Sequence, residues 1–267
     1  MKILITGANG YLGSLLCEYI SQQNEIIPTS HSSIKNFIKM DITNLNNINC
    51  VLKFYSPHVI IHNTAISNIK KCEVDKKLAF LTNVIGTKNI VTSANNIGES
   101  VIFISSLASQ NNKLVYGKTK YMAEYYVRRS IYGYEILQLS MLFGLSPNTT
   151  NHRPFNKILY NYINKIAYTY DNYWKFQPTY TLHLVNIIID ILRYKLLNRT
   201  LPIVVDKSCT MYEIAKDIIG KNIVNEGKIY NNRDDVYIDN NILKYNNLKT
   251  MSYNDMIKHI RLELEIQ

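Results

Sequence analysis

Met1-Lys2-Ile3-Leu4-Ile5, followed by Thr6-Gly7-Ala8-Asn9-Gly10-Tyr11-Leu12-Gly13, is the stretch whose reading decides the fold. The first five residues form the kind of apolar run that makes a buried parallel strand. Behind the glycines, Ser14-Leu15-Leu16-Cys17-Glu18-Tyr19-Ile20 carries helical apolar spacing. Strand, glycine turn and helix in this order make a dinucleotide-binding turn. Gly7 permits the tight turn, Gly10 lets backbone approach a pyrophosphate, and Gly13 lets helix and strand pack closely. Phosphates then meet N–H groups at the positive end of the helix dipole. The cradle so defined comprises Gly7, Asn9, Gly10, Tyr11, Leu12 and Gly13.

Outward from this turn, strand-like and helix-like segments alternate. Glu25–Ser30, Phe37–Ile42, His58–Asn63, Ser100–Ser105 and Tyr134–Ser140 read as strands. Leu45–Tyr55, Glu73–Asn96 and Val115–Ser130 read as helices. Such alternation calls for an α/β fold, a doubly wound parallel sheet of the Rossmann type. After Gly144 the character changes, with a turn cluster at Ser146–Asn151 and a Tyr- and Asn-rich region to Gln177. Leu182–Leu197 then reads as helix, Leu201–Val205 as strand and Thr210–Ile219 as helix. The expected division is a core at 1–147 and about 179–200, with a smaller α/β lobe at about 148–178 and 201–267. Asn44–Asn49, Asn231-Asn232 and Asn240-Asn241 read as loops.

The bulk numbers fit such a domain. The 267 residues are 46% hydrophobic and 19% charged, enough for an ordinary core. Cys17, Cys50, Cys72 and Cys209 lie far apart, which excludes a Cys-x-x-Cys zinc site and points to reduced, buried thiols. The six histidines show no metal-ligand spacing. The formal charge of +10 comes from scattered lysines without an arginine-rich stripe, so nucleic acid is not an expected partner. A glycine turn interrupts the first apolar run after five residues, which argues against a signal peptide. His183, Asn186 and Asp190 break the longest apolar stretch, so no membrane span is expected and the cytoplasm is the expected location.

Two further features carry chemistry. Tyr116 and Lys120 stand one helical turn apart on one face, just after a strand ending Ser105-Ser106. Open α/β sheets bind ligands at that carboxyl edge. A tyrosine is a poor acid–base catalyst at neutral pH, and a neighbouring ammonium favours its phenolate. Cofactor choice rests on the end of the second strand, where dinucleotide sites that take NAD place a carboxylate for the ribose hydroxyl. Here Pro28-Thr29-Ser30-His31-Ser32-Ser33 offers none, and Lys35 follows. NADP, as NADPH, is therefore favoured over NAD, with His31 and Ser32 facing its 2′-phosphate. Trp174 with Tyr170, Tyr173 and Phe176 reads either as a base-stacking platform or as a core cluster, and His62 and His183 read as packing or hydrogen-bonding residues.

With these motifs in place, the sequence resembles the extended, nucleotide-sugar-modifying branch of the short-chain dehydrogenase/reductase superfamily, above all its dTDP-4-dehydrorhamnose reductases. Asp41-Ile42-Thr43-Asn44 is similar to the branch's adenine-contacting pair, and Val59–Ala65 to the strand and small-residue turn beneath the cofactor. Cys72-Glu73 and Asn83-Val84-Ile85-Gly86-Thr87 are similar to the helix near the active site. Gln177–Thr181 and Met211–Ala215 resemble motifs of the substrate-side half. The resemblance implies catalysis by Ser106, Tyr116 and Lys120, and cofactor contacts from Asp41, Ile42, Asn63, Thr64, Ala65, Asn83, Tyr116 and Lys120. It implies a substrate-binding role for the smaller lobe, a dTDP- or UDP-linked 4-keto-6-deoxyhexose as substrate, and a homodimer as an option. An epimerase or dehydratase of the same superfamily, and a non-catalytic regulatory subunit, are the alternative readings. The chain also departs from the family. Ser106 and Tyr116 stand only ten positions apart, Leu107 replaces an Asp, Gln138 an Arg, His183 an acidic residue, and Lys70 an Asp.

Overall fold

The computed structural model describes residues 1–111, 113–148, 153–194, 196–228 and 237–265. His152, Asn231-Asn232 and the later residues of the Ser146–Asn151 turn cluster lie outside the described residues. The chain divides into two compact units, Met1–Gln138 with Ile188–Leu201, and Leu139–Ile187 with Pro202–Gln267.

The first unit is built on β1 (Lys2–Thr6), β2 (Glu25–Ser30), β3 (Ile38–Lys39), β4 (Val59–His62), β5 (Ser100–Ser106) and β6 (Tyr134–Leu139). A strand at Arg199–Ile203 completes a seven-stranded sheet in which β6, β5, β4, β1, β2 and β3 follow it in that order. β1 pairs in parallel with β2 and β4, β4 with β5, and β2 with β3. Strands buried on both faces must be apolar throughout, and Ile3, Leu4, Ile5, Ile60, Ile61, Val101 and Ile102 are. The sheet reverses its direction of growth beside β1, which places the ligand edge at the carboxyl ends of β1 and β4. Helices α1 (Tyr11–Ile20) and α2 (Leu45–Tyr55) belong to the β1–β4 half. The expected α/β doubly wound fold is observed.

Three local readings change. The third strand shrinks to two residues: Met40 N–H still reaches Ser30 O, but Asp41 N–H turns to Asn47 Oδ1 at 2.7 Å. Asn44–Asn49 is helical from Leu45, since the Asn44 side chain accepts the Asn47 N–H as an N-cap. The expected helix at Glu73–Asn96 is four pieces: α3 (Ile69–Val74), α4 (Lys76–Phe80), a π-helical turn at Leu81–Ile85, and α5 (Gly86–Ile97). Asp75, with φ −121° and ψ 79°, breaks the first from the second and caps the second through Leu78 N–H. Cys50 is exposed on α2, against the expectation of buried thiols, because it lies opposite the buried face of Ile48, Val51 and Leu52.

The second unit contains two parallel strand pairs, Leu142–Phe143 with Thr179–Tyr180 and Tyr168–Asp171 with Val224–Gly227. Phe143, Phe155 and Phe176 are buried together with Ile214, Ile218, Met256 and Ile260. Trp174 stacks on Phe176 at 4.7 Å, and Tyr170 is buried in the same cluster, while Tyr173 is exposed. Of the two readings of these aromatics, the core cluster describes Trp174, Tyr170 and Phe176.

The glycine turn has little tolerance. Gly7 holds φ +64°, and a Cβ on Gly13 would stand 2.1 Å from the Gly7 carbonyl oxygen. Gly13→Ala is expected to cost roughly 2–4 kcal/mol, because backbone and not a flexible side chain must move. Urea melts of the variant beside the parent measure this.

Candidate active site

The cradle begins where β1 ends. Gly10 N–H donates to Gly7 O at 3.0 Å, and Ala8 N–H to Thr29 O at 3.0 Å, so the turn is tied to itself and to β2. Gly10 is the N-cap of α1 and brings no capping side chain. No capping side chain therefore competes with an anion for the N–H groups at the start of α1. No Cβ fills the approach at Gly10, where the only contact such an atom would meet is Gly7 O at 3.2 Å. A pyrophosphate fits this donor set.

Beneath the turn lies a buried polar chain whose hydrogens can be placed by counting. Thr6 Oγ1 accepts the N–H groups of Asn63 and Thr64, both at 3.0 Å. Its own hydrogen therefore goes to His62 Nδ1 at 2.9 Å. His62 Nε2 then carries the ring proton and donates to Thr87 Oγ1 at 2.9 Å, and Thr87 donates on to the Asn83 carbonyl at 2.7 Å. His62 is a fixed neutral tautomer. Complete burial, with Lys120 nearby, holds its pKa down at about 3. Asn63 adds a bond from Nδ2 to Gly7 O at 3.3 Å, so the Asn63-Thr64-Ala65 turn and the glycine turn move as one.

On the segment after β2, His31 and Ser32 are exposed. Partial burial raises the Asp41 pKa, but the Thr43 hydroxyl and N–H and the nearby His31 outweigh it, and the net shift is downward. His31 and Asp41 are therefore neighbours. Ile42 points elsewhere, into the core with Ile48, Leu52 and Ile90.

The groups suited to catalysis come from β5 and from α6 (Val115–Val127). A 3₁₀ turn at Leu107–Gln110 lies between them. Ser105 and Ser106 part company at the strand end. Ser105 is buried and donates to Glu124 Oε1 at 2.6 Å. Ser106 is half-buried and accepts Ala108 N–H at 3.2 Å, which leaves its hydroxyl hydrogen for a ligand. Tyr116 is half-buried in the first turn of α6. Lys120 is 2% exposed; its Nζ donates to Ile104 O at 2.7 Å and lies 4.3 Å from the Phe103 ring centre. Burial pulls its pKa down to about 7, with Glu124 pulling the other way.

Several positioning groups escape a motif reading. Leu114 gives α6 no side-chain cap, and Glu73 of α3 supplies the missing acceptor by taking Val115 N–H at 2.8 Å. Asn83 sits on the π-turn, 1% exposed, with its amide spent on Ile66 N–H (2.8 Å), Ile66 O (3.1 Å) and Thr119 Oγ1 (3.0 Å). Thr119 in turn donates to Tyr116 O at 2.9 Å. Asn83 thus links the Asn63–Ile66 turn to the Tyr116 backbone, and any service to a cofactor is indirect. Short π-turns of this kind recur at functional sites. Glu124 could have been found from its spacing, one turn beyond Lys120 on the same helix face.

A sequence profile described as the RmlD substrate binding domain matches residues 1–236. The chain belongs to that family. The resemblance read from the sequence is thereby borne out at family level. Among curated relatives of this RmlD-family chain, the probable polysaccharide biosynthesis protein EpsC of Bacillus subtilis is 33% identical over 145 residues, covering 46% of this chain and 24% of that protein. Methionine adenosyltransferase 2 subunit beta of Xenopus tropicalis is 25% identical over 214 residues, covering 73% of this chain and 63% of its own. The chain therefore spans less than two thirds of the length of these relatives. Among solved structures, dTDP-4-dehydrorhamnose reductase of Bacillus anthracis, in complex with NADP, superposes with a TM-score of 0.84 over 98% of both chains at 24% identity. That likeness confirms the fold. No helix among the described residues is long and apolar enough to cross a membrane.

Glu73→Ala is expected to lower stability by about 1 kcal/mol, the usual worth of a helix cap, read from urea melts. For His62, an unfolded value of 6.5 and a folded value of about 3 mean that its stabilising contribution is intact above pH 6.5. That contribution is lost as pH falls towards the folded value, because the unfolded chain takes up the proton first. His62→Gln keeps a donor and an acceptor, so its stability should fall less steeply than the parent's between about pH 6 and pH 4.

Proposed function

We propose that this protein is an NADPH-dependent reductase of a dTDP- or UDP-linked 4-keto-6-deoxyhexose, working in the supply of deoxysugar precursors in the cytoplasm. The observation that carries this reading is the arrangement of Ser106, Tyr116 and Lys120 on β5 and α6, in the same unit as a glycine turn suited to a pyrophosphate. The NADP-bound state of the Bacillus anthracis reductase supports the cofactor. The exposed His31 and Ser32, with no carboxylate at the end of β2, support NADPH over NADH.

NADPH supplies the hydride that reduces the keto carbon. Ser106 donates its free hydroxyl hydrogen to the keto oxygen and holds the charge that grows there. Tyr116 delivers the proton to that oxygen, so the C=O π bond is replaced by a C–H and an O–H bond. Lys120, as the ammonium, favours the phenolate that Tyr116 becomes and donates to the cofactor ribose. Gly7, Asn9, Gly10, Tyr11, Leu12 and Gly13 hold the pyrophosphate, Asp41 and His31 face the adenosine end, and Asn63, Thr64 and Ala65 border the cofactor.

The likeness to methionine adenosyltransferase 2 subunit beta favours a second reading, a cofactor-binding regulatory subunit. A panel of dTDP- and UDP-4-keto-6-deoxyhexoses with NADPH separates the readings. Stoichiometric NADPH oxidation is expected, reduced about 10²–10⁴-fold in Tyr116→Phe and about 10²–10³-fold in Ser106→Ala, with NADPH binding retained. Sugar conversion without net oxidation would mark an epimerase. Tight NADPH binding with no turnover of any sugar would mark the regulatory subunit.

A further inference from the structure

One heavily bonded buried charge in the first unit is not used by the proposed chemistry. Glu124 is 2% exposed, on α6, one turn beyond Lys120. Its Oε1 accepts Ser105 Oγ at 2.6 Å, Ser109 Oγ at 2.7 Å and Gln138 Nε2 at 2.9 Å. Its Oε2 accepts Arg128 Nη2 at 3.0 Å. These donors come from β5, the 3₁₀ turn, β6 and the next turn of α6. Gln138 is itself held, donating to Ser109 Oγ at 3.0 Å and accepting from Gln110 Nε2 at 2.8 Å. It is neutral, so it satisfies the carboxylate without balancing its charge. Arg128, with its side chain 41% exposed and also bonded to Thr200 Oγ1 at 3.2 Å, brings the balancing cation from the solvent side.

We propose that Glu124 is a positioning residue that fastens the helix carrying Tyr116 and Lys120 to the strand end carrying Ser106, with Arg128 as its counter-ion. The fastening has two adjacent points on β5. Lys120 bonds the carbonyl of Ile104, and Glu124 bonds the hydroxyl of Ser105, the residue next to Ser106. The carboxylate also acts on Lys120 through space. Burial favours the neutral amine, and the nearby negative charge opposes that. Among the described residues, the other groups facing Lys120 carry no opposing charge: His62 of β4 is neutral, and β5 presents the Phe103 ring and a carbonyl. Tyr116 precedes it on α6. The catalytic consequence rests on the reductase reading above, whereas the coupling between Glu124 and Lys120 does not.

The test uses the full chain with its lysines labelled at 13Cε, titrated by NMR, with Lys120→Met assigning the Lys120 signal. Glu124→Gln should move the Lys120 midpoint down by about one pH unit, a tenfold loss of ammonium above it. Arg128→Met, at an exposed position, should move it up, since the carboxylate then acts on Lys120 unopposed. Opposite shifts are not what general loosening of the fold produces. If Glu124→Gln fails to fold, the upward shift in Arg128→Met decides alone. A folded Glu124→Gln with an unchanged midpoint, or an Arg128→Met midpoint that stays or falls, overturns the proposal. In turnover, Glu124→Gln should lose about tenfold in kcat above neutral pH with little change in KM for NADPH, and recover towards pH 6. Equal loss at every pH would mark a merely structural residue. If the parent turns over no sugar, the reductase reading fails while the titration still reports on Glu124.

Discussion

A carboxylate taken out of water must find donors or it destabilises the fold, and Glu124 finds four. To do so it draws β5, the 3₁₀ turn, β6 and its own helix to one point. The separation between β5 and α6 is the dimension on which the site depends, because Ser106 stands on one and Tyr116 and Lys120 on the other. A core of aliphatic side chains would resist separation of these elements but would permit them to slide. Directed hydrogen bonds to a single oxygen do not.

The cofactor side follows the same logic with neutral groups. Thr6, His62, Thr87 and Asn83 form a chain of buried donors and acceptors in which each hydrogen has one place to go. That chain ties β1 to β4 and β4 to the π-turn, and Asn83 continues it to α6 through Thr119. The glycine turn and α6 are thus connected through the interior by satisfied polar contacts. Buried polar networks of this kind give a unique arrangement only when complete.

Two features that the resemblance marks as departures, Gln138 and the ten-residue spacing from Ser106 to Tyr116, belong to the same bonded core. Gln138 donates to Glu124 without bringing a charge, and Arg128 supplies the balancing cation from the next turn of α6. The short connection between Ser106 and Tyr116 is taken up by the 3₁₀ turn, whose Ser109 joins the same carboxylate.

The order of elements, the parallel sheet and the glycine cradle were legible in the sequence, because each depends on local apolar spacing or on a backbone geometry that only glycine allows. Ser106, Tyr116 and Lys120 were legible for a similar reason, as residues placed by one strand end and one helix face. Residues 73–96 were misread as one helix, since Asp75 breaks the run through its own cap and the π-turn leaves no mark in apolar spacing. The difference between Ser105 and Ser106, the trans cap from Glu73, the tautomer of His62 and the four donors around Glu124 were decided only by the tertiary structure. Each is a contact between residues distant in the chain, and a hydrogen bond is set by where both partners end up.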